Sequence, residues 1–493
     1  MSTIGDLALK SAKAYPNKIA VKFKGISYSY EQLIQRAYAL TSYFHSIGLK
    51  KGDRLGILMS NRSEHIELDV AVSFFGLIKV PLNYRLHPEE HEYQIKDSGM
   101  VLLIGETDLL NKLNTALPTI TVGEEYEIII QKYYGQIYEN EVNEDDLMAI
   151  MYTSGTTGNP KGVMLSHRNM VSGAISLSIA CEVDFNDTIG HVAPLTHGAN
   201  FLSHVAWLFG LTQVVYDKFE PHLFIQHLEE DQISIIFLVP TMVNLMVQHE
   251  QFDPAKLKTI KSINMAGSPI AAAKLQEALN KIGTKFVETY GQVEAPMCIS
   301  IMPRNELQNR LDSCGRIGPF VDVKIIDDEG NELPAGEVGE IIAKGPLVMQ
   351  GYWNNDKATQ DTLKDGWLHT GDLGKLDNNG YLYIVDRKKE VIISGGVNIY
   401  PREVEEVLNK HPFVKETCVI GVPDEKWGES VIAYIVPNGR GEVQSEELIE
   451  LCKNHLASFK KPKEIYIVES LPKSSYGKIL KRELVKKHIE VMK

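Results

Sequence analysis

Between Asp53 and Gly105 short apolar runs alternate with stretches whose apolar residues return every three or four positions. GDRLGILMS has the length of a strand, SEHIELDVAVSFFGLIKVPLN carries helical spacing before a second run, and EEHEYQIKDSGMVLLIG repeats the pair. The same alternation resumes in DTIGHVAPL, TQVVYDKF, ISIIFLVP and SINMAG, so strand and helix units of an α/β sheet are predicted. The polar run YENEVNEDD, residues 138–146, reads as a surface connection between them. Past residue 315 the period falls to two in VDVKIIDDEGNELPAGEVGEIIAKG, around a Glu-Gly turn, which predicts an antiparallel section. In YIVDRKKEVIISGGVNIYPREVEEVL the charged residues from Asp386 to Glu390 separate two apolar strands. Pro401 then opens a helix in which Val404, Val407 and Leu408 share one face. VIGVPD, VIAYIVP and EIYIVE supply strands for a small terminal α/β unit. The expected organisation is therefore α/β. A large N-terminal domain of α/β subdomains plus a β-rich section spans 1–386, and a small α/β C-terminal domain spans 387–493.

A chain of 493 residues exceeds the size at which one core stops growing, in keeping with more than one domain. Hydrophobic residues at 44% and charged residues at 23% are ordinary for a globular protein. The formal charge of -13 disfavours a partner bound through nonspecific phosphate or membrane-surface attraction, so no nucleic acid is expected. The N-terminus has no basic stretch followed by an apolar one, which argues against a secretory signal. The uncharged segment from Gly198 to Tyr216 is interrupted by Asn200, Ser203, His204, Thr212 and Gln213, as in a buried core and unlike a transmembrane segment. The five cysteines are widely spaced with no CxxC pair, which suggests reduced thiols and a cytoplasmic protein.

The chemistry is concentrated in MYTSGTTGNPKGVMLSH, residues 151–167. Its glycines let backbone N–H groups approach an anion, and its threonines and Lys161 add donors and charge, so a polyphosphate is the expected guest. The run does not end Gly-Lys-Ser/Thr at a helix start, so it is not the common P-loop. TSGTTGNPKGV resembles instead the phosphate loop of the adenylate-forming superfamily, which includes acyl-CoA synthetases, firefly luciferase and peptide-synthetase adenylation domains. ETYGQVEAP (288–296), GWLHTGDLG (366–374), YIVDRKKEVIISGGVNIYP (383–401) and PKSSYGKILKREL (472–484) resemble the family's later motifs in the family's order.

The resemblance implies ATP, Mg²⁺ and coenzyme A as cofactors and a small carboxylic acid as substrate. It implies that Thr153, Ser154, Gly155, Thr156, Thr157, Gly158 and Lys161 embrace the β and γ phosphates, and that Gly267, Ser268 and Pro269 line the adenine and acyl sites. Tyr290, with Gly291 and Gln292 beside it, would stack on adenine, and Glu294 would hold Mg²⁺ as a catalytic group. Asp372 would accept the ribose hydroxyls, joined by Arg387, and Lys389 would be the hinge of a mobile C-terminal domain. Lys478 would be the catalytic lysine of adenylation, with its loss depressing the first half-reaction far more than the second. Gly395 and Gly396 would face the pantetheine arm of CoA.

Two positions bear on specificity and competence. His197 and Gly198 fall at the acyl pocket, and the family's amino-acid-activating members usually carry Asp where Gly198 stands. An uncharged, apolar acid, fatty or aromatic, is therefore expected, with Phe201, Trp207, Phe237, Val239 and Met242 as candidate lining. Val293 stands where the family usually has Thr, losing a hydroxyl for which Gln292 or a displaced water would compensate. An acyl-CoA synthetase is the leading expectation. A stand-alone enzyme loading a carrier protein is the alternative, and a non-catalytic nucleotide-binding protein is opposed by retention of Lys161, Glu294, Asp372, Arg387 and Lys478.

Overall fold

The computed structural model describes residues 2–153, 160–268, 270–473 and 479–492. Two large sheets dominate. In the seven-stranded sheet, Leu102–Gly105, Arg54–Leu58, Ile78–Pro81 and Leu147–Thr153 run parallel, and Lys161–Ser166 then returns antiparallel. The fourteen-stranded sheet is parallel through Thr212–Val215, Thr188–His191, Ile235–Leu238, Ser262–Met265 and Phe286–Gln292. It then turns antiparallel at Ala295–Met302 and continues through Gly315–Ile317, Tyr381–Arg387, Trp367–Leu376, Gly339–Lys344 and Asp322–Ile326. The β-rich section is thus the continuation of the α/β sheet, which carries Asp372 and Arg387 on neighbouring strands next to the end of Phe286–Gln292.

The helix Ser63–Phe75 packs against Ile19–Phe23 of one sheet and Ile78–Pro81 of the other, and all of its residues are buried. Burial on every side excludes a solvent stripe, so its acidic residues need partners. Glu67 meets Arg36 at 3.1 Å, and Asp69 pairs with Lys79. A second helix, Phe201–Phe209, starts from the turn Gly198–Asn200 and buries Phe201, Leu202, Val205, Ala206 and Trp207, so the uncharged segment is core. Among the described residues no helix is long and apolar enough to cross a membrane, and the five cysteines are free and buried.

The terminal unit has a five-stranded sheet in which Val414–Asp424, Gly428–Pro437, Ile392–Ser394 and Val397–Ile399 are antiparallel, with Glu464–Ile467 parallel to Gly428–Pro437. Helix Pro401–Leu408 buries Val404, Val407 and Leu408 against it, as the spacing predicts. Its Glu406 reaches across to the large domain and accepts from Ala272 N at 3.3 Å, while Asp386 Oδ2 accepts from Arg402 N at 3.0 Å.

Near this junction burial pushes the Glu288 carboxyl up to about 7; Arg402 opposes the shift and Glu406 adds to it. The folded state therefore holds a proton that the unfolded chain has released, and stability falls as pH rises from about 4.5 through 7. Glu288→Gln is expected to raise stability by about 1–2 kcal/mol at pH 8 and to change it little at pH 4.5, read as the melting-temperature difference from wild type at the two pH values.

Candidate active site

Strands Leu147–Thr153 and Lys161–Ser166 form a hairpin with Thr153 opposite Lys161. The following helix His167–Ala180 starts only at Ser166, whose hydroxyl accepts from Asn169 N. Ser154, Gly155, Thr156, Thr157 and Gly158 lie outside the described residues, as do Pro269 and Lys478. The Lys161 ammonium stands 4.7 Å from the centroid of the Tyr352 ring. Tyr352 arrives on the two-residue strand Gly351–Tyr352, paired with Val163. Its hydroxyl donates to Glu294 Oε1 at 2.8 Å, and burial, then the Glu294 charge, hold the phenol protonated. Lys161 and Glu294 are thus connected through a tyrosine that the sequence reading did not single out.

Val293 and Glu294 form the two-residue turn between Phe286–Gln292 and Ala295–Met302, with Gln292 opposite Ala295. The tight turn fixes Glu294 beside the residues that precede it. Gln292 Nε2 donates to Thr370 O at 2.9 Å and to Asp372 Oδ2 at 2.6 Å, and Tyr290 Oη donates to the same oxygen at 2.7 Å. Arg387 Nε lies 2.6 Å from Asp372 Oδ1, because Asp372 and Arg387 are direct cross-strand partners. Asp372 is buried and Arg387 half-exposed, so a buried carboxylate is held by one cation and two neutral donors. Both donor hydrogens of the Gln292 amide are committed to Thr370 and Asp372, so Gln292 does not stand in for the hydroxyl missing at Val293.

Gly291 is tightly enclosed: a Cβ there would meet Met297 N at 2.7 Å and Ala295 O at 2.9 Å. The close approach accompanies a left-handed backbone at Met297, φ +68°, a conformation costly for a side-chain-bearing residue and concentrated at functional sites. The Met297 sulfur lies 3.2 Å from where a Cβ on Gly198 would stand, and Phe237 lies 3.8 Å from the same point. Gly198 therefore opens onto an apolar wall of Met297 and Phe237. Burial, aided by Arg85, pushes His197 down to about 3, leaving a neutral imidazole at this wall. Val239 faces Gly267, and Gly267 and Ser268 are exposed at the end of Ser262–Met265. Trp207 packs edge-on against Tyr30, 5.9 Å between centroids, and Phe201 lies against Gly173, so these two belong to the core behind the wall.

Lys389 sits in the single turn Lys388–Glu390 that links Tyr381–Arg387 to the terminal sheet. Gly395 and Gly396, at φ +59° and +79°, make the tight turn between Ile392–Ser394 and Val397–Ile399, with Gly395 N donating to Trp427 O at 2.7 Å. Among the described residues there is no group of three or more His, Cys, Asp or Glu side chains able to hold a metal ion. None of them donates to the second oxygen of Glu294, and a lone carboxylate suits Mg²⁺, which takes its other ligands from phosphate and water.

The chain matches known proteins along most of its length. Residues 9–353 match the AMP-binding enzyme family, and residues 403–478 match the AMP-binding enzyme C-terminal domain. The chain is 33% identical to a feruloyl-CoA synthase of an Amycolatopsis species over 487 residues, covering 98% of each chain. It is likewise 33% identical to a 2-succinylbenzoate–CoA ligase of Bacillus cytotoxicus over 493 residues, again 98% of each. Among solved structures, the O-succinylbenzoate coenzyme A synthetase of Bacillus subtilis in complex with ATP and magnesium superposes with a TM-score of 0.88 at 30% identity, covering 97% of this chain and 99% of that one. The chain belongs to the AMP-binding enzyme family, in the CoA-ligase branch of the adenylate-forming superfamily.

Proposed function

We propose that this protein activates an apolar carboxylic acid, fatty or aromatic, as an acyl-adenylate and passes the acyl group to coenzyme A. The observation that carries the reading is one continuous constellation, Lys161–Tyr352–Glu294 followed through the Val293–Glu294 turn by Gln292–Asp372–Arg387. It sets a cation and a free carboxylate oxygen at one end and a buried, multiply held carboxylate at the other. A triphosphate and a ribose need that pairing of functions.

A carboxylate is a poor electrophile, and attaching AMP cures this: its oxygen attacks the α-phosphorus, pyrophosphate leaves, and a thiol then displaces AMP from the mixed anhydride. Negative charge sits on phosphate oxygens throughout, so the protein supplies positioned donors and no covalent nucleophile. Thr153 and Lys161, with Ser154, Gly155, Thr156, Thr157 and Gly158, hold the β and γ phosphates in this reading. Tyr290 and Gly267 to Pro269 frame the adenine, and Asp372 and Arg387 hold the ribose. Magnesium on Glu294 would neutralise phosphate charge. Lys478 serves the first half-reaction, and the unit 387–493, turning at Lys389, then brings Gly395 and Gly396 to the pantetheine arm. Buried, unpaired cysteines suit a cytoplasmic enzyme.

The acid is apolar in this reading because Gly198 faces Met297 and Phe237 with a neutral His197 beside them. Met297→Gly keeps the left-handed backbone without strain and removes the sulfur from the wall. The ratio of kcat/KM for an acid one or two methylenes longer to that for the best acid is expected to rise roughly tenfold. Val293→Thr restores a donor that Gln292 cannot supply, and kcat/KM for ATP is expected to rise roughly threefold to tenfold, measured at saturating acid. The reading as a whole is tested by acid-dependent exchange of labelled pyrophosphate into ATP without CoA. Exchange with fatty or aromatic acids supports it, and exchange with amino acids alone would reject the apolar assignment.

A further inference from the structure

His197 and Gly198, which face the Met297 and Phe237 wall, are carried by the segment from Val192 to Asn200, which leaves the strand Thr188–His191 of the fourteen-stranded sheet and faces the first subdomain, built around Arg54–Leu58, Ile78–Pro81 and Leu102–Gly105 of the seven-stranded sheet. Two side chains of that first subdomain grip it. Near its start, Asn61, 2% exposed, donates through Nδ2 to Ala193 O at 3.0 Å and to Tyr216 O at 3.3 Å, and accepts from Leu195 N at 2.9 Å. At its end, Asp69, 1% exposed, accepts from Asn200 Nδ2 at 2.6 Å. Asp69 is held in turn by the buried Lys79 ammonium, and His204, one helical turn beyond Asn200, lies 3.4 Å from the same carboxylate oxygen. His197 and Gly198 lie between the two grips.

A buried ion pair is a poor source of stability, since apolar residues of equal volume commonly serve as well. What the pair supplies is direction: a carboxylate fixed on a fully buried helix accepts a hydrogen bond only from a donor in one place. Asn61 is placed to the same end, satisfying an N–H and a C=O of a segment that forms no ladder there.

We propose that Asn61 and the Lys79-held Asp69 are positioning residues that fix the segment bearing His197 and Gly198 at its two ends, and so set which acids fit between Gly198, Met297 and Phe237. The inference rests on the assignment of the Met297 and Phe237 wall to the acid, and it gives the first subdomain a part in substrate choice through the segment it holds.

The test is steady-state pyrophosphate release by the full chain, using the acid that the wild type turns over best and its homologue one methylene longer. Asn61→Ala and Asn200→Ala are compared with Ser203→Ala, which alters a buried hydroxyl of the helix Phe201–Phe209 that faces His191 and not the segment. Each of the first two is expected to raise KM for the acid roughly tenfold and to flatten the ratio between the two acids, with KM for ATP within about twofold of wild type and Ser203→Ala unchanged. Asn200→Ala keeps the Asp69–Lys79 pair intact, so it serves even if Asn61→Ala folds poorly. Equal shifts in KM for acid and ATP, or an unchanged acid ratio, would overturn the inference. Absence of pyrophosphate release by the wild type with any acid would overturn the functional reading instead.

Discussion

Asp372→Asn is expected to lower kcat/KM for ATP by roughly a hundredfold to ten-thousandfold while leaving the protein folded. An ionised carboxylate only accepts hydrogen bonds, and Asp372 takes Tyr290 and Gln292 on one oxygen and Arg387 on the other, which keeps a lone pair for a ribose hydroxyl. Asparagine keeps one acceptor and turns the other into a donor, which must then face either Arg387 or the Tyr290 and Gln292 donors. Hydrogen bonds to charged groups contribute about 1.5–3 kcal/mol each, and losing two costs about 3–6 kcal/mol, which gives the expected range. Arg387 is half-exposed and can turn to water, so the melting temperature should move little. Calorimetric titration with AMP checks the assignment without turnover: affinity should fall in parallel, and a loss below tenfold in both quantities would mean that Asp372 holds no nucleotide.

The second large effect is expected for Glu294→Gln, a roughly hundredfold to thousandfold fall in kcat with partial recovery at high Mg²⁺. Glutamine keeps a carbonyl oxygen to accept from Tyr352 Oη, so the hydrogen bond that orders the turn survives. What it removes is the charge on the oxygen that no described residue engages. The measurement is a Mg²⁺ titration at saturating ATP and acid, in which the half-saturating concentration should rise several-fold. A fall in kcat with an unchanged Mg²⁺ dependence would assign Glu294 a purely structural part in the Lys161–Tyr352 contact.

The elements were legible wherever period and punctuation agreed. The strand and helix units between Asp53 and Gly105, the amphipathic face of Pro401–Leu408 and the antiparallel pairing of Asp322–Ile326 with Gly339–Lys344 follow from spacing alone. The roles given to Tyr290, Asp372 and Arg387 come from the resemblance of their runs to the family's motifs and not from spacing, and the structure brings the three side chains together. Tyr352 was not legible, since its place depends on a two-residue strand joining Lys161–Ser166 from far along the chain, and no local pattern marks such a pairing. Asp69 was hidden for the opposite reason: polar residues around a helix ordinarily mark its solvent face, and Ser63–Phe75 has none, while Asn61 precedes that helix and stands in no motif. The Val293 substitution was visible, but the commitment of Gln292 to Thr370 and Asp372 is a matter of geometry. The left-handed Met297 has no sequence signal apart from the nearby Gly291, whose missing side chain accommodates it.

The most direct test of the central claim is product analysis by mass spectrometry after incubation with Mg²⁺-ATP, CoA and a panel of fatty and aromatic acids. The account predicts acyl-CoA and AMP in equal amounts for one class of apolar acid, with neither formed when CoA is present but the acid is omitted. Formation of ADP in place of AMP, or of AMP and pyrophosphate with no acyl-CoA from any acid, would contradict it.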